Sequence, residues 1–377
     1  MFMFLYELRD YFAPFNVFRY VSFRTVMAMI TALLMSFMYP KFIGKLIERQ
    51  VGQVVRNDGP ESHFKKRGTP TMGGSLILLS LVVSTLLWAD LSNHFVWLFL
   101  SITTFFGGIG FIDDYLKIKE KNSKGLPGRW KLILQFLISG IAMAVLFMDP
   151  TLQFSSELYF PFVAADKFSL TLPIIGYALF AMVVIVGTSN AVNLTDGLDG
   201  LAIAPVSVAA LTFLILCYVS GTVLQFPIDV DGKEIYAAFD LAQYLKMPHI
   251  SGISELCIGG GAIVGSGIGF LWFNSYPAQV FMGDLGSLSL GGALGTLAVL
   301  SKNELLSIII CGLFLIEALS VIMQTSSFKL TGKRVFKMAP IHHHFEKKGW
   351  PETKVTVRFW IISILLALVA LSSLKLR

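Results

Sequence analysis

Long apolar runs separated by short polar connections dominate this chain of 377 residues. About ten of the runs approach the roughly 20 residues that a helix needs to cross a bilayer. They cover residues 21–40, 70–90, 95–112, 131–148, 170–189, 201–219, 255–273, 285–300, 305–325 and 356–375. The pattern predicts an all-α polytopic membrane protein of about ten transmembrane helices, with residues 1–377 forming a single domain.

The composition supports this prediction. Hydrophobic residues make up 55% of the chain, charged residues only 14%, and the mean hydropathy is +0.70. Soluble domains carry about 25% charged residues, so an ordinary soluble enzyme is excluded. The three cysteines all lie inside apolar runs, which argues against a disulfide framework or a zinc cluster. The first 20 residues mix aromatic and charged side chains, which is typical of a segment lying in the membrane interface.

Basic residues are distributed very unevenly among the connections. The connections 41–68, 113–131 and 326–355 hold 20 of the 30 Lys and Arg residues. The alternate connections 91–94, 149–169, 220–254 and 301–304 hold four. Because cytoplasmic loops are enriched in Lys and Arg, both termini are predicted to lie outside. The net charge of +6 has the same origin and gives no reason to expect a nucleic-acid partner.

Five polar clusters fall on the predicted cytoplasmic side. They are residues 59–74, 113–115, 190–200, 281–287 and 339–350. The outside loops also carry acids, but without comparable Gly, Asn and His residues around them. Five polar clusters on one face indicate a single active site there.

Asp113 and Asp114 close the third apolar run. Adjacent carboxylates at the negative end of a helix dipole repel each other, so the pair is either a solvated cap or a functional group. The functional interpretation is that a divalent cation or an essential proton transfer offsets the repulsion. Three lysines follow and offer partial screening, namely Lys117, Lys119 and Lys121.

A second cluster repeats polar residues at every third position, as Asn190, Asn193, Asp196 and Asp199. On an α-helix this set drifts by half a turn, so all four side chains align only in a tighter helix or a loop. A capped loop with Asx turns is the structural alternative. Two amides and two acids exceed what a turn needs, which favours a binding site.

The remaining clusters centre on Asp284 and on three consecutive histidines. Asp284 lies between Gly283 and Gly286, which leaves its carboxylate open to Mg²⁺, although an N-cap is the alternative. The histidines are His342, His343 and His344. Three consecutive histidines do not converge easily on one zinc ion, and the surrounding lysines favour phosphate binding instead.

Five motifs, in order, resemble a known family. They read VRNDGPESHFKKRGTPTMGG, FIDDY, GTSNAVNLTDGLDGLA, FLWFNSYPAQVFMGDLGS and MAPIHHHFEKKGWPE. These motifs are similar to those of the bacterial phospho-N-acetylmuramoyl-pentapeptide transferases, within the polyprenyl-phosphate N-acetylhexosamine-1-phosphate transferase superfamily. The resemblance runs from about Phe15 to Arg377. It implies ten transmembrane helices, a cytoplasmic active site, residence in the bacterial inner membrane and a homodimer.

The resemblance also implies a reaction. The family transfers phospho-MurNAc-pentapeptide from UDP-MurNAc-pentapeptide to undecaprenyl phosphate, which gives lipid I and UMP and requires Mg²⁺. Carried over by motif, Asp284 would bind Mg²⁺ and the pair Asp113 and Asp114 would deprotonate the lipid phosphate or lie near the metal. Positions lining the nucleotide side would be Asn193, Asp196, Asp199, Asn274 and Phe281, with Phe281 stacking on uracil. Positions handling phosphates or sugar would be Lys66, His342, His343 and His344.

Two alternatives and one mechanistic choice remain open on the sequence. A sister enzyme would use UDP-GlcNAc, and a secondary transporter would place polar residues near the bilayer midplane. Glu317 alone lies mid-run, and pairing with a neighbouring helix is the interpretation we favour for it. The transfer takes one step or passes through a covalent Asp intermediate, and we favour one step because a positioned phosphate is already a nucleophile. The acidic connection 220–254 is long for the family, but it lies away from the predicted chemistry.

Overall fold

The computed structural model describes residues 1–48, 68–120, 125–230 and 233–377, without the side chains of residues 227–236. Lys66 therefore lies outside the described residues. The α-helices are α1 Val21–Met35, α2 Tyr39–Glu48, α3 Gly74–Trp88, α4 His94–Lys119, α5 Gly128–Met148, α6 Ile174–Thr195, α7 Ile203–Gly221, α8 Leu241–Tyr244, α9 Leu256–Asn274, α10 Gly283–Leu300, α11 Ser307–Ile310, α12 Gly312–Thr331, α13 Ile341–Glu346 and α14 Glu352–Ser372. Short 3₁₀ helices cover Phe2–Leu8, Ala13–Arg19, Ser36–Met38 and Ile253–Glu255.

These helices confirm the prediction of an all-α polytopic membrane protein. In the described part of the chain, nine helical segments are long and apolar enough to span a membrane. The one predicted span that is not among these nine is the second, residues 70–90, which corresponds to α3; this helix has 15 residues and is shorter than the nine. The first span runs from Val21 to Glu48 and includes the 3₁₀ turn between α1 and α2.

The helix that carries the third predicted span is longer than that span. We predicted a short run over 95–112, but α4 has 26 residues and continues to Lys119. Asp113 and Asp114 therefore lie inside the helix, one to two turns before its end. Both side chains can stay buried inside the helix because Lys117 lies close to each carboxylate.

Two antiparallel hairpins were not predicted from the sequence. One pairs β1 (Glu157–Tyr159) with β2 (Ser169–Thr171), and the other pairs β3 (Val223–Val230) with β4 (Lys233–Asp240). The second hairpin has its register set by Val223 opposite Asp240 and occupies much of the long connection between α7 and α9. Both hairpins lie in connections at the end of the bundle opposite the polar clusters.

Helix α10 forms the centre of the bundle. Every residue from 285 to 300 is buried, and the helix packs against α3, α4 and α6. Small residues allow this close packing, since a Cβ at Gly292 would lie 2.6 Å from the ring of Phe106 and a Cβ at Gly295 would lie 2.7 Å from the Cα of Ile185. The start of α10, which carries Asp284, is thereby held between its neighbours.

A buried ion pair braces the opposite end of the bundle. Arg24 donates to both carboxylate oxygens of Glu255 at 2.7 and 2.6 Å, and also to the carbonyl of Trp88 at 3.2 Å. Glu255 in turn accepts from the backbone N–H of Asp90. These bonds tie α1, α3 and the start of α9 together, far from the polar clusters.

Candidate active site

Three carboxylates meet where α4 crosses the start of α10. Asp113, Asp114 and Asp284 each offer an oxygen, and these oxygens all lie within 4.8 Å of one another. Asp113 is fully buried and Asp114 nearly so, whereas Asp284 is partly exposed. Three like charges at this distance repel strongly, so the cluster needs positive charge to remain ionised.

Two lysines supply part of that charge. Lys117 Nζ lies 2.5 Å from Asp113 Oδ2, 3.7 Å from Asp114 Oδ1 and 3.0 Å from Asp284 Oδ2. Lys131, in the first turn of α5, lies 2.9 Å from Asp113 Oδ1 and 2.7 Å from Asp284 Oδ2. With all five groups ionised, the cluster keeps one net negative charge, which leaves it attractive to a cation.

The backbone around Asp284 presents its carboxylate at the positive end of a helix. Asp284 lies in the first turn of α10 and does not cap it, because the N-cap position is Met282. Gly283 has φ +75°, and a Cβ there would lie 2.5 Å from Asp114 Oδ2, so the chain needs glycine at this point. Asn193 fixes the carboxylate by donating to Asp284 Oδ1 at 2.9 Å and to Ser287 Oγ at 2.8 Å.

Asp196 lies beside the three carboxylates, just after the end of α6. Burial, followed by the negative charges of Asp284, Asp114 and Asp199, raises the pKa of Asp196 to about 8. A neutral carboxyl at pH 7 would act as a hydrogen-bond donor. Asp196 is therefore suited to a phosphate or carbonyl oxygen more than to a metal.

Asp199 and Asn274 hold two loops together in this structure. Asp199 Oδ2 accepts from the N–H of Ala278 at 2.9 Å, and the N–H of Asp199 donates to Glu352. Asn274 accepts from the N–H of Gly200 and donates to the carbonyl of Val280. These hydrogen bonds hold the two loops in place. The motif resemblance assigned both side chains to the nucleotide side of the site.

Phe281 and the described part of the first polar cluster are joined through their backbones. The N–H of Phe281 donates to the carbonyl of Pro70 at 2.8 Å, and the N–H of Gly73 donates to the carbonyl of Phe281 at 2.8 Å. Thr71 lies next to Gly283. The pairing brings the 68–74 segment to the start of α10, beside the three carboxylates.

The three histidines have different hydrogen-bond partners. His342 is fully buried, and its Nδ1 lies 3.1 Å from Glu317 Oε1. His343 pairs with Glu346 at 2.7 Å, and His344 Nδ1 accepts from the N–H of Lys337. Of the three, His342 is the one that touches the 190–200 cluster, at Gly197.

Lys131 and Gln135 are candidate functional residues that the sequence reasoning did not single out. Lys131 opens an apolar run and was counted only as positive-inside charge. Gln135, one turn later and fully buried, donates to Ser189 and accepts from Asn190, which ties α5 to α6. The sequence does contain a signal for these two residues, because an amide lies one turn after a lysine inside an apolar run.

The arrangement fits a magnesium ion and two phosphates. Carboxylate oxygens are the protein ligands that Mg²⁺ prefers, and three of them converge here. Lys117 and Lys131 flank the same point, where phosphate oxygens would also need positive charge. The site can therefore hold a divalent cation and stabilise phosphoryl transfer.

Comparisons with known proteins agree with this chemistry. A model described as glycosyl transferase family 4 matches residues 96–302, and phospho-N-acetylmuramoyl-pentapeptide-transferase signature 1 matches residues 66–78. The phospho-N-acetylmuramoyl-pentapeptide-transferase of Sorangium cellulosum is 58% identical over 369 residues, 96% of this chain and 95% of the relative. Relatives of the same name from Citrifermentans bemidjiense and Desulfatibacillum aliphaticivorans are each 54% identical, over 99% of both chains.

The matches cover the helices that build the site. The family model spans α4, α5, α6 and α10, and the signature includes the segment that pairs with Phe281. On this evidence the chain belongs to the phospho-N-acetylmuramoyl-pentapeptide-transferase family, within glycosyl transferase family 4.

Proposed function

We propose that this protein transfers phospho-MurNAc-pentapeptide from UDP-MurNAc-pentapeptide to undecaprenyl phosphate, which produces lipid I and UMP. The observation that carries the proposal is the convergence of three carboxylates and two lysines at one end of a membrane bundle. A site at helix ends can reach both a soluble nucleotide and a lipid phosphate at the headgroup level.

The cofactor we propose is Mg²⁺, held by Asp284 with Asp113 and Asp114 around it. Two features support the fit: three carboxylate oxygens that could bind a metal lie within 4.8 Å of one another, and the cluster of three aspartates and two lysines has a formal net negative charge. When bound, the ion would neutralise charge that develops on the pyrophosphate during transfer. Asn193 orients Asp284, and Lys117 and Lys131 limit the repulsion among the carboxylates.

The transfer itself needs no ATP. An oxygen of the lipid phosphate forms a bond to the β-phosphorus of the UDP-sugar, while the bond from that phosphorus to the bridging oxygen breaks. UMP leaves with the bridging oxygen, and one pyrophosphate bond replaces another. We propose a single step, with one carboxylate of the Asp113 and Asp114 pair accepting a proton from the lipid phosphate.

The site faces the cytoplasm in this proposal, and the protein spans the bacterial inner membrane. The support is the excess of Lys and Arg in the connections at the site end of the bundle. UDP-sugars are cytoplasmic, so the same orientation brings the soluble substrate to the three carboxylates.

The test is UMP release by the purified protein in detergent. Wild-type protein receives UDP-MurNAc-pentapeptide and undecaprenyl phosphate, with Mg²⁺ or with EDTA, beside Asp284→Asn and the matched control Glu48→Gln. Glu48 is an exposed acid at the end of α2. We expect release that needs both substrates and Mg²⁺, is lost in Asp284→Asn and persists in Glu48→Gln.

Three results would count against the proposal or a part of it. No release by folded wild-type protein would remove the enzyme function. Release from UDP-GlcNAc in place of UDP-MurNAc-pentapeptide would assign the sister reaction. Activity that survives Asp284→Asn would retain the transferase but move the metal elsewhere.

A further inference from the structure

Three helices that carry the site are joined by hydrogen bonds one turn further into the bundle. Gln135 of α5 donates from Nε2 to Ser189 Oγ at 3.0 Å, and its Oε1 accepts from Asn190 Nδ2 at 2.8 Å. Ser189 Oγ in turn donates to the carbonyl of Leu288 in α10 at 2.8 Å. Two amides and one hydroxyl thus link α5, α6 and α10.

This set of bonds lies directly below the charged cluster. Gln135 comes four residues after Lys131 in α5, and Leu288 comes four residues after Asp284 in α10. Residues four apart lie on the same face of a helix, one turn from each other. The hydrogen bonds therefore fix both helices one turn away from the point where Lys131 meets Asp284.

Gln135 is the first buried residue of α5. Every residue of the helix before it is exposed or partly exposed, including Lys131. Ahead of the helix, the N–H of Leu126 donates to Asp113 Oδ1, but Asp113 belongs to the charged cluster itself. Gln135 therefore supplies the first fully buried contact of α5 that is independent of the carboxylates.

The surroundings make these bonds effective. Gln135 and Ser189 are fully buried, so water does not compete for their polar atoms. Polar side chains inside a membrane bundle hold neighbouring helices together, and an amide left without partners there is unfavourable. Lys131 has a long and flexible side chain, so the place of its Nζ depends on how firmly the start of α5 is held.

We propose that Gln135 is a positioning residue that acts through Lys131. By fixing α5 against α6, it keeps Lys131 Nζ 2.9 Å from Asp113 and 2.7 Å from Asp284. The inference rests on the proposed function, because its effect is read as a change in Mg²⁺-dependent transfer. It extends the site one turn into the membrane, to an amide that acts on the carboxylates through a lysine.

The test compares Gln135→Met with Lys131→Met and with the double variant, each as full-length protein in the Mg²⁺ titration of UMP release. Methionine keeps the length of glutamine but bonds to neither Ser189 nor Asn190. The bond from Ser189 to Leu288 remains, so α5 alone loses its anchor.

We expect two changes in Gln135→Met. The value of kcat/KM should fall about tenfold, the lower end of the usual effect of removing a group that supports a residue of a metal site. The Mg²⁺ concentration for half-maximal rate should also fall, as in Lys131→Met, because a displaced lysine leaves more negative charge on the carboxylates. A purely structural role would lower the melting temperature and the rate without changing the Mg²⁺ requirement.

The double variant shows whether the two residues act as a unit. If Gln135 acts through Lys131, the double variant is no worse than Lys131→Met alone. The matched control is Ser139→Ala, one turn further along α5. Ser139 is equally buried, and its hydroxyl has no hydrogen-bond partner within the described ranges, so this change should leave kcat/KM and the Mg²⁺ requirement unaltered.

A second variant covers the case in which Gln135→Met does not fold, as judged by thermal melting in detergent. Asn190→Ala removes one of the two bonds of Gln135 and keeps the bond to Ser189. It should shift the Mg²⁺ requirement in the same direction by a smaller factor, and this shift should vanish when Lys131 is already Met.

The outcomes distinguish this inference from the proposed function. Losses that multiply in the double variant, or a slower Gln135→Met enzyme with an unchanged Mg²⁺ requirement, would overturn the positioning role. Full activity in Gln135→Met would do the same while leaving the transferase intact. A wild-type protein without Mg²⁺-dependent release would instead remove the function on which the inference rests.

Discussion

Replacing Lys131 by Met tests how charge is balanced at the three carboxylates. Lys131 Nζ bridges Asp113 and Asp284 at 2.9 and 2.7 Å, and Met retains an apolar stem of similar length. The change takes the formal charge of the cluster from minus one to minus two, since only Lys117 remains as a close cation among the described residues.

Two effects of opposite sign follow from that change. Removing one partner of a buried, hydrogen-bonded charge pair costs about 2–5 kcal/mol. If the transition state loses about 3 kcal/mol of stabilisation relative to the free enzyme and substrates, kcat/KM falls about 100-fold. Two unit charges about 4 Å apart interact by about 4 kcal/mol at an effective dielectric of 20, so loss of the lysine should strengthen Mg²⁺ binding. We expect the Mg²⁺ concentration for half-maximal rate to fall at least about tenfold.

The assay is initial-rate UMP release over a Mg²⁺ titration. Arg129→Met is the matched control, because Arg129 occupies the same first turn of α5 but is exposed. A Lys131→Met enzyme that needs more Mg²⁺ than the wild type, or that keeps its full kcat/KM, would refute the charge-balance reasoning.

Three further predictions concern the support of Asp284, the reaction path and the opposite end of the bundle. Asn193→Ala should lower kcat/KM about 10- to 100-fold and weaken Mg²⁺ activation, because Asp284 loses the donor that orients it, and the same titration measures this. A one-step transfer predicts that labelled UMP does not exchange into UDP-MurNAc-pentapeptide without lipid phosphate; exchange in delipidated enzyme would instead indicate a covalent intermediate. Burial raises the pKa of Glu304 from 4.5 to about 7, so the folded protein holds a proton that the unfolded chain releases between these values. The free energy of unfolding of the protein should therefore fall by about 3 kcal/mol as the pH rises from 4.5 to about 7. Glu304→Gln should flatten the pH dependence of the melting temperature in detergent between pH 5 and 8.

The fold was predictable because burial in a bilayer imposes a strong local requirement. Every spanning segment must satisfy its own backbone in apolar surroundings, so a helix shows as an apolar run of the necessary length. The length of an apolar run does not show where a helix ends when its polar side chains are neutralised by other side chains of the protein. The apolar run alone is therefore an incomplete guide to helix length. It ended α4 at Ile112, but Lys117 and Lys131 neutralise Asp113 and Asp114 and the helix continues to Lys119. It also gave no sign of the β3–β4 hairpin, whose stability depends on cross-strand pairing.

The site residues divide in the same way. The sequence by itself determined that Asp113, Asp114, Asn193 and Asp284 belong to one polar face, because motif spacing and the alternation of loops place them at the same end of the bundle. Only the tertiary structure decided that Lys131 bridges two of the carboxylates and that Glu317 meets His342. Lys131 and Asp284 are 153 residues apart in the chain, and Glu317 and His342 lie on two separate helices. A distance between side chains on separate helices depends on how those helices pack, which no local pattern of residues encodes.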